Sequence, residues 1–234
     1  VPVARAPRVA IVATGDELVD VSIEPGPGQL VDSSAHVLDA LVREAGGIPS
    51  RLGIAPDELG ALGRMLEAAL THDVVITTGG VSVGDRDHVH AALAAAGVTL
   101  ELYKVAMKPG KPFSFGRRDA TPVFGLPGNP VSTVVGFELF LRPALLAMQG
   151  ARATARPRAL AELPGGYRKQ AGRAHYLRAR VVRDGARLVA HVHPKQGSAM
   201  LSSLVGCNAL VELAADLTEL APGGSTPVIL LEAV

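Results

Sequence analysis

Aromatic residues make up only 3% of this 234-residue chain, and tryptophan is absent. Proteins that grip single-stranded nucleic acid stack bases on aromatic rings, so this composition argues against that class. One cysteine, Cys207, permits no intrachain disulfide, which fits a reducing, cytoplasmic setting. The formal net charge is +1, with no bias toward nucleic acid and no acidic tail. Lysine is scarce, five residues against eighteen arginines. No uninterrupted apolar run reaches the ~18–20 residues of a membrane span, and no signal peptide is read. What is present is a 48% hydrophobic content, enough for one large core or two modest ones. The chain opens on Val1 rather than methionine, which reads as a processed or excised piece of a longer protein.

RVAIVAT (8–14) is a β-branched apolar run of the kind that fills parallel sheets. SSAHVLDALVREAGG (33–47) carries apolar residues at helical spacing and ends on two glycines. PSRLGIA (49–55) reads as a strand, and DELGALGRMLEAALTH (57–72) as a helix with Asp57 as its N-cap. DVVITTGG (73–80) is a further strand, DHVHAALAAAG (87–97) a helix, and VTLELYKVAM (98–107) extended. KPFSFG (111–116) and TPVFGLPG (121–128) read as a hairpin, and residues 129–150 as a long apolar helix bent near Pro143. This alternation predicts an α/β, doubly wound domain with a mostly parallel sheet over residues 1–150. ARATARPRA (151–159) reads as a linker. HYLRARVV (175–182), RLVAHVH (187–193), NALVELA (208–214) and TPVILLEA (226–233) then predict a small all-β, barrel-like domain within 151–234.

Ligands of such sheets lie beyond the carboxyl ends of the strands. TGDEL (14–18), TTGGVSVGD (77–85) and GLPGNP (125–130) each follow a predicted strand and should gather on one edge. Glycine lets backbone N–H groups approach an anion, and a helix start adds positive potential. Asn129 and Pro130 suit the N-cap and first position of a helix. Asp85 and Asp87 would repel phosphate unless a cation stands between. Asp16, Glu17, Asp32, Asp85 and Asp87 supply hard oxygen ligands of the kind Mg²⁺ takes alongside substrate phosphates. The same carboxylates also suit helix caps and first turns. KVAMKPGKP (104–112) holds Lys104, Lys108 and Lys111, three of the five lysines, as point charges for an anion.

Taken together, TGDEL, TTGGVSVGDRD, KVAMKPGKP and GLPGNPVS resemble the molybdenum-insertion enzymes of molybdenum-cofactor biosynthesis, the MoeA and gephyrin E-domain type. GRAHYLR (172–178) and QGSAMLSSL (196–204) resemble that family's C-terminal β domain, so the resemblance runs through essentially the whole chain. It implies an enzyme that takes adenylylated molybdopterin and molybdate, needs Mg²⁺, releases AMP and leaves molybdenum on the pterin dithiolene. By residue matching it implies catalytic roles for Asp16, Asp87, Lys104 and Lys108. It implies ligand contacts from Thr14, Gly15, Thr78, Gly79, Gly80, Ser82, Gly84, Lys111, Pro127, Gly128, Asn129 and Ser132. In the β domain, Arg173 or Arg178, and Ser198 or Ser202, match residues linked to the pterin or molybdate end. The family is dimeric, with two more domains usually preceding this part of the chain. Its further partners are the adenylyltransferase and cofactor-receiving enzymes, with no nucleic acid and no membrane. The sequence departs from the family at Ser34, where an asparagine usually follows Asp32-Ser33. Two other readings fit less of the sequence: a molybdopterin adenylyltransferase, which usually lacks the β domain, and a non-catalytic molybdopterin-binding scaffold.

Overall fold

Val9 to Ala13 are fully buried, as a β-branched run between two helical layers should be. The computed structural model describes residues 3–80 and 88–234. The chain divides into two units, one of Val1–Val105 with Pro112–Thr154, the other of Ala106–Lys111 with Ala155–Val234.

The first unit holds strands β1 (Arg8–Thr14), β2 (Ile48–Ala55), β3 (Val74–Thr78), β4 (Thr99–Tyr103), β5 (Ser114–Arg118) and β6 (Thr121–Leu126). They lie in the order β2-β1-β3-β6-β5-β4. β2, β1, β3 and β6 are parallel, while β5 runs antiparallel to both neighbours. Helices α1 (Ser33–Glu44), α2 (Leu59–Ala69), α3 (His88–Ala95) and α4 (Pro130–Met148) cover the sheet. Leu62 and Leu66 of α2 and Val89 and Leu93 of α3 pack on Ala10, Val12, Val75 and Val123. α1 and α4 pack together, α1 also on β1 and α4 on β6. This is the doubly wound, mostly parallel α/β architecture predicted from the alternation.

Two details differ from the sequence reading. Glu58, not Asp57, is the N-cap of α2, and it makes no side-chain capping bond. The Asp57 N–H instead donates to Asp16 Oδ1 at 2.9 Å, which pulls Asp57 toward the first loop. α4, expected to bend near Pro143, runs on continuously through it. It widens into a π-turn over Phe137–Leu141, closed by the Arg142 N–H on the Phe137 carbonyl. The wider turn absorbs the bond that proline cannot donate and the clash of its ring. By length and composition α4 could cross a membrane. Its apolar surface is spent inside the unit, where Val131, Val135, Phe137, Leu141 and Leu145 are buried.

The second unit holds β7 (Arg158–Leu163), β8 (Ala174–Asp184), β9 (Arg187–Val192), β10 (Ala209–Leu213) and β11 (Gly224–Leu230). The order β9-β7-β11-β10-β8 closes through a β8–β9 pairing, giving a five-stranded barrel. Ala161, Leu163, Leu177, Ala179, Val211 and Val228 fill it. β7 starts within the stretch read as a linker, because its alternation of charged and apolar residues is short and begins at Arg158. The sequence reading also kept residues 106–111 with the α/β domain. Here a two-residue strand, Met107–Lys108, pairs parallel to Ala174–His175 of β8, and Met107 is buried. That pairing assigns the segment to the barrel unit.

His175 is the buried histidine among the described residues of this unit, 7% exposed, with its ring edge-on to Tyr167. Burial, then the Lys108, Lys169 and Arg173 charges, push it down to about 4. An unfolded histidine titrates near 6.5, so the unfolded chain takes up protons first as pH falls. Stability is therefore full above about 6.5 and declines toward pH 4, by up to about 3 kcal/mol. His175→Phe, which keeps the ring contact, should flatten this acid decline in denaturant titrations at pH 7 and pH 5.

Candidate functional site

Register fixes which loops meet. Val12 lies opposite Thr77, Thr77 opposite Gly125, Gly125 opposite Ser114, and Ser114 opposite Tyr103. The carboxyl ends of β1, β3, β6 and β4 therefore share one edge of the sheet. That edge gathers Thr14 to Glu17, Gly79 and Gly80, Pro127 to Asn129, and Lys104.

The loops are held against one another through the backbone. The Gly79 N–H donates to the Leu126 carbonyl at 3.1 Å, joining the second and third loops. Gly79 has φ 85° and Gly80 φ 62°, conformations that side chains strongly resist. A Cβ on Gly79 would stand 2.2 Å from the Thr14 carbonyl oxygen. One on Gly80 would stand 2.1 Å from Val89 Cγ2. These glycines are thus demanded first by the packing of strand ends. The third loop is pinned by its carbonyls. Thr133 Oγ1 donates to Pro127 O at 2.8 Å, and Ser34 Oγ to Gly128 O at 3.1 Å. Ser34 thereby takes up a structural bond at the position where the family pattern has asparagine.

Thr14, Glu17, Gly79, Gly80, Pro127, Gly128 and Asn129, with Leu18, Leu30 and Pro112, line one cavity of about 290 Å³. Its polar lining is backbone, hydroxyl and carboxylate, and its apolar lining is leucine and proline. Asn129 is the N-cap residue of α4, yet its side chain makes no capping bond. The positive end of α4 is thus left to the cavity rim, with an exposed amide beside it.

The carboxylates divide. Asp16 and Glu17 are exposed, Glu17 on the cavity lining, while Asp16 accepts the Asp57 N–H. Asp32 is buried and caps α1, its Oδ1 accepting the Ala35 N–H at 3.1 Å. Asp57, read as a cap from sequence, is the acidic neighbour that reading missed. Loss of solvent, then the Asp16 and Glu17 charges, raise its pKa, and His88 opposes the rise. Nothing in the spacing of Asp57 to Asp16 could reveal this, since only the parallel β1–β2 pairing brings them together. Among the described residues, no group of three or more His, Cys, Asp or Glu is placed to hold a metal. Ser82, Gly84, Asp85 and Asp87 lie outside the described residues. Gly15, with φ 144°, is buried beneath Glu17, while Thr78 and Ser132 are buried in β3 and the first turn of α4.

In the barrel unit, Lys108 and Lys111 are exposed on the captured segment. Arg173 is exposed, whereas Arg178 is 1% exposed. Arg178 Nε donates to Ser203 Oγ, and NH2 to the carbonyls of Lys195 and Gly197, each at 3.1 Å. Gln196 completes the clamp by bonding both the N–H and the carbonyl of Arg178. Arg178 thus shapes the 195–203 loop, which presents Ser198 half-buried and Ser202 exposed.

A doubly wound sheet with glycine-bearing loops gathered at its carboxyl edge is the architecture in which α/β domains place their ligands. Residues 10–147 match the family described as the probable molybdopterin binding domain, and residues 161–231 match the MoeA C-terminal region (domain IV). The chain belongs to the MoeA family of molybdopterin-binding proteins, and holds these two of its domains. It is 34% identical, over 95% of its length, to 56% of a molybdopterin molybdenumtransferase 2 of Mycobacterium tuberculosis. Over 64% of its length it is 43% identical to 35% of a molybdopterin molybdenumtransferase of Nostoc. A solved molybdopterin biosynthesis MoeA protein of Pyrococcus horikoshii superposes with a TM-score of 0.82 at 28% identity, covering 98% of this chain and 55% of the other. The chain thus spans 35% to 56% of the length of these relatives.

Gly79→Ala should push the second loop off Thr14. The left-handed backbone and the contact with a carbonyl oxygen together should cost about 2–4 kcal/mol. The check is the thermal midpoint, with Gly128→Ala as comparison, since a Cβ there meets the Gly79 backbone at ordinary contact, Cα at 3.4 Å and N at 3.8 Å.

Proposed function

We propose that this chain carries out molybdenum insertion: it binds adenylylated molybdopterin and molybdate, releases AMP and leaves molybdenum on the pterin dithiolene. The observation that carries this reading is the cavity itself. Two glycine loops and an uncapped helix start supply N–H groups and positive potential for phosphate oxygens, and leucine and proline supply apolar wall. About 290 Å³ accommodates part of so large a substrate, such as its phosphates and an adjoining ring.

Mg²⁺ is tested by the donor set. It commonly takes one or two carboxylates and fills its remaining positions with water and substrate phosphates. Exposed Glu17 on the cavity lining and its exposed neighbour Asp16 fit that demand, and the Asp57 pKa, raised by burial first, is raised further by these two charges. When bound, Mg²⁺ would be held by Asp16 and Glu17, with Asp85 and Asp87 as further candidates, and would neutralise charge on the phosphates. Asp32, already committed to capping α1, is the weakest member of that set.

The protein groups divide the remaining work. Gly79, Gly80, Gly128 and Asn129 orient the phosphates, Lys104 answers negative charge building on them, and Asp87 handles a proton. Lys108, Lys111, Arg173, Ser198 and Ser202 serve the oxyanion of molybdate and the pterin end. Arg178 acts at one remove, by shaping the loop that carries the serines. The reading extends to a homodimer, to a cytoplasmic location, and to exchange with the adenylyltransferase and cofactor-receiving enzymes.

The test is molybdate-dependent AMP release from adenylylated molybdopterin in the presence of Mg²⁺. Asp87→Asn should lower the rate about 10²–10⁴-fold, the usual scale for an acid–base group, while substrate still binds. Binding without any molybdate-dependent AMP release from the unmodified protein would favour a scaffold role and overturn insertion.

A further inference from the structure

Lys104 has φ 68°, in the left-handed region that lysine resists. Among the described residues the other non-glycine with positive φ is Asp119, which turns the β5–β6 hairpin. Lys104 is in no such turn. Its N–H donates to the Phe113 carbonyl at 2.8 Å, prolonging the β4–β5 ladder by one bond.

The conformation has a consequence for the side chain. Along a strand, successive side chains point to opposite faces, so a lysine cannot ordinarily reach the ring of the residue before it. The left-handed turn removes that restriction, and Lys104 Nζ lies 4.5 Å from the centroid of the Tyr103 ring. His90 of α3 meets the same ring edge-on, with centroids 4.8 Å apart and planes at 85°. No carboxylate among the described residues pairs with Lys104. Among the described residues, the half-buried Lys104 thus has an aromatic face, and no carboxylate, as the partner of its ammonium. The register places it on the same carboxyl edge as the cavity loops, through Tyr103, Ser114, Gly125 and Thr77.

We infer that Tyr103, braced by His90, is a positioning residue that holds the Lys104 ammonium at this edge for the phosphates of the substrate. Backbone strain retained at one charged residue, where glycine or asparagine would relieve it, points to a demand made by the site. A ring holds the cation without neutralising it, which a carboxylate partner would do. The inference rests on the proposed insertion chemistry for its substrate, and on geometry alone for the stacking.

The test pairs NMR of lysine side-chain methylenes with turnover, using Tyr103→Leu, Tyr103→Phe and Lys104→Ala. The ring current should shift the Lys104 ε-methylene upfield in the unmodified protein and in Tyr103→Phe, and the shift should vanish in Tyr103→Leu. Turnover should fall about three- to tenfold in Tyr103→Leu, mainly in kcat, and recover in Tyr103→Phe. Lys104→Ala should lose more than either. An unshifted resonance in the unmodified protein overturns the stacking. Loss of the shift in Tyr103→Leu with turnover unchanged overturns the positioning role. Failure of the insertion reading is seen separately, as no AMP release by the unmodified protein with the shifted resonance intact.

Discussion

The site depends on a close approach between two strand ends. β1 and β3 run parallel and adjacent, and the turn leaving β3 passes so near Thr14 that Gly79 has no room for a side chain. From that contact the rest follows in order. The Gly79 N–H reaches Leu126, which draws in the loop after β6. That loop leads into α4, whose start is left without a side-chain cap at the cavity rim. Ser34 and Thr133 hold the loop's carbonyls, and so commit their hydroxyls to structure rather than to ligand.

Charge at this edge is arranged rather than balanced. On one side loss of solvent, and then the Asp16 and Glu17 charges, raise the pKa of Asp57. On the other side Lys104 is supported by an aromatic ring. Among the described residues no ion pair joins these opposite charges, an arrangement poor for stability but suited to a ligand carrying both phosphates and a counter-cation. In the barrel unit the buried Arg178 follows the opposite rule. Its hydrogen bonds go to carbonyls and a hydroxyl within the protein, and it shapes a loop instead of meeting solvent.

Much of this was legible in the sequence. RVAIVAT and DVVITTGG announce buried parallel strands, and their alternation with helices is enough to place the three glycine-bearing loops on one edge. What escaped depended on tertiary pairing. Residues 106–111 carry no signal that β8 will capture them, because a two-residue strand leaves no periodicity. Asn129 occupies a capping position without capping, a distinction that composition cannot make. Asp57 looked like a helix cap until the β1–β2 pairing set it beside Asp16. Arg173 and Arg178 were indistinguishable by motif, and burial alone separates them. Lys104 was visible as one lysine of three, but the backbone turn that sets it on Tyr103 was not.

The most direct test of the account is where the adenylylated pterin substrate binds in a crystal structure of this protein. Its phosphates should lie against Gly79, Gly80, Gly128 and Asn129, with Glu17 at the same rim. Substrate found instead at the opposite end of the sheet, in the cavity of about 300 Å³ lined by Arg5, His72 and Asp73, would contradict it.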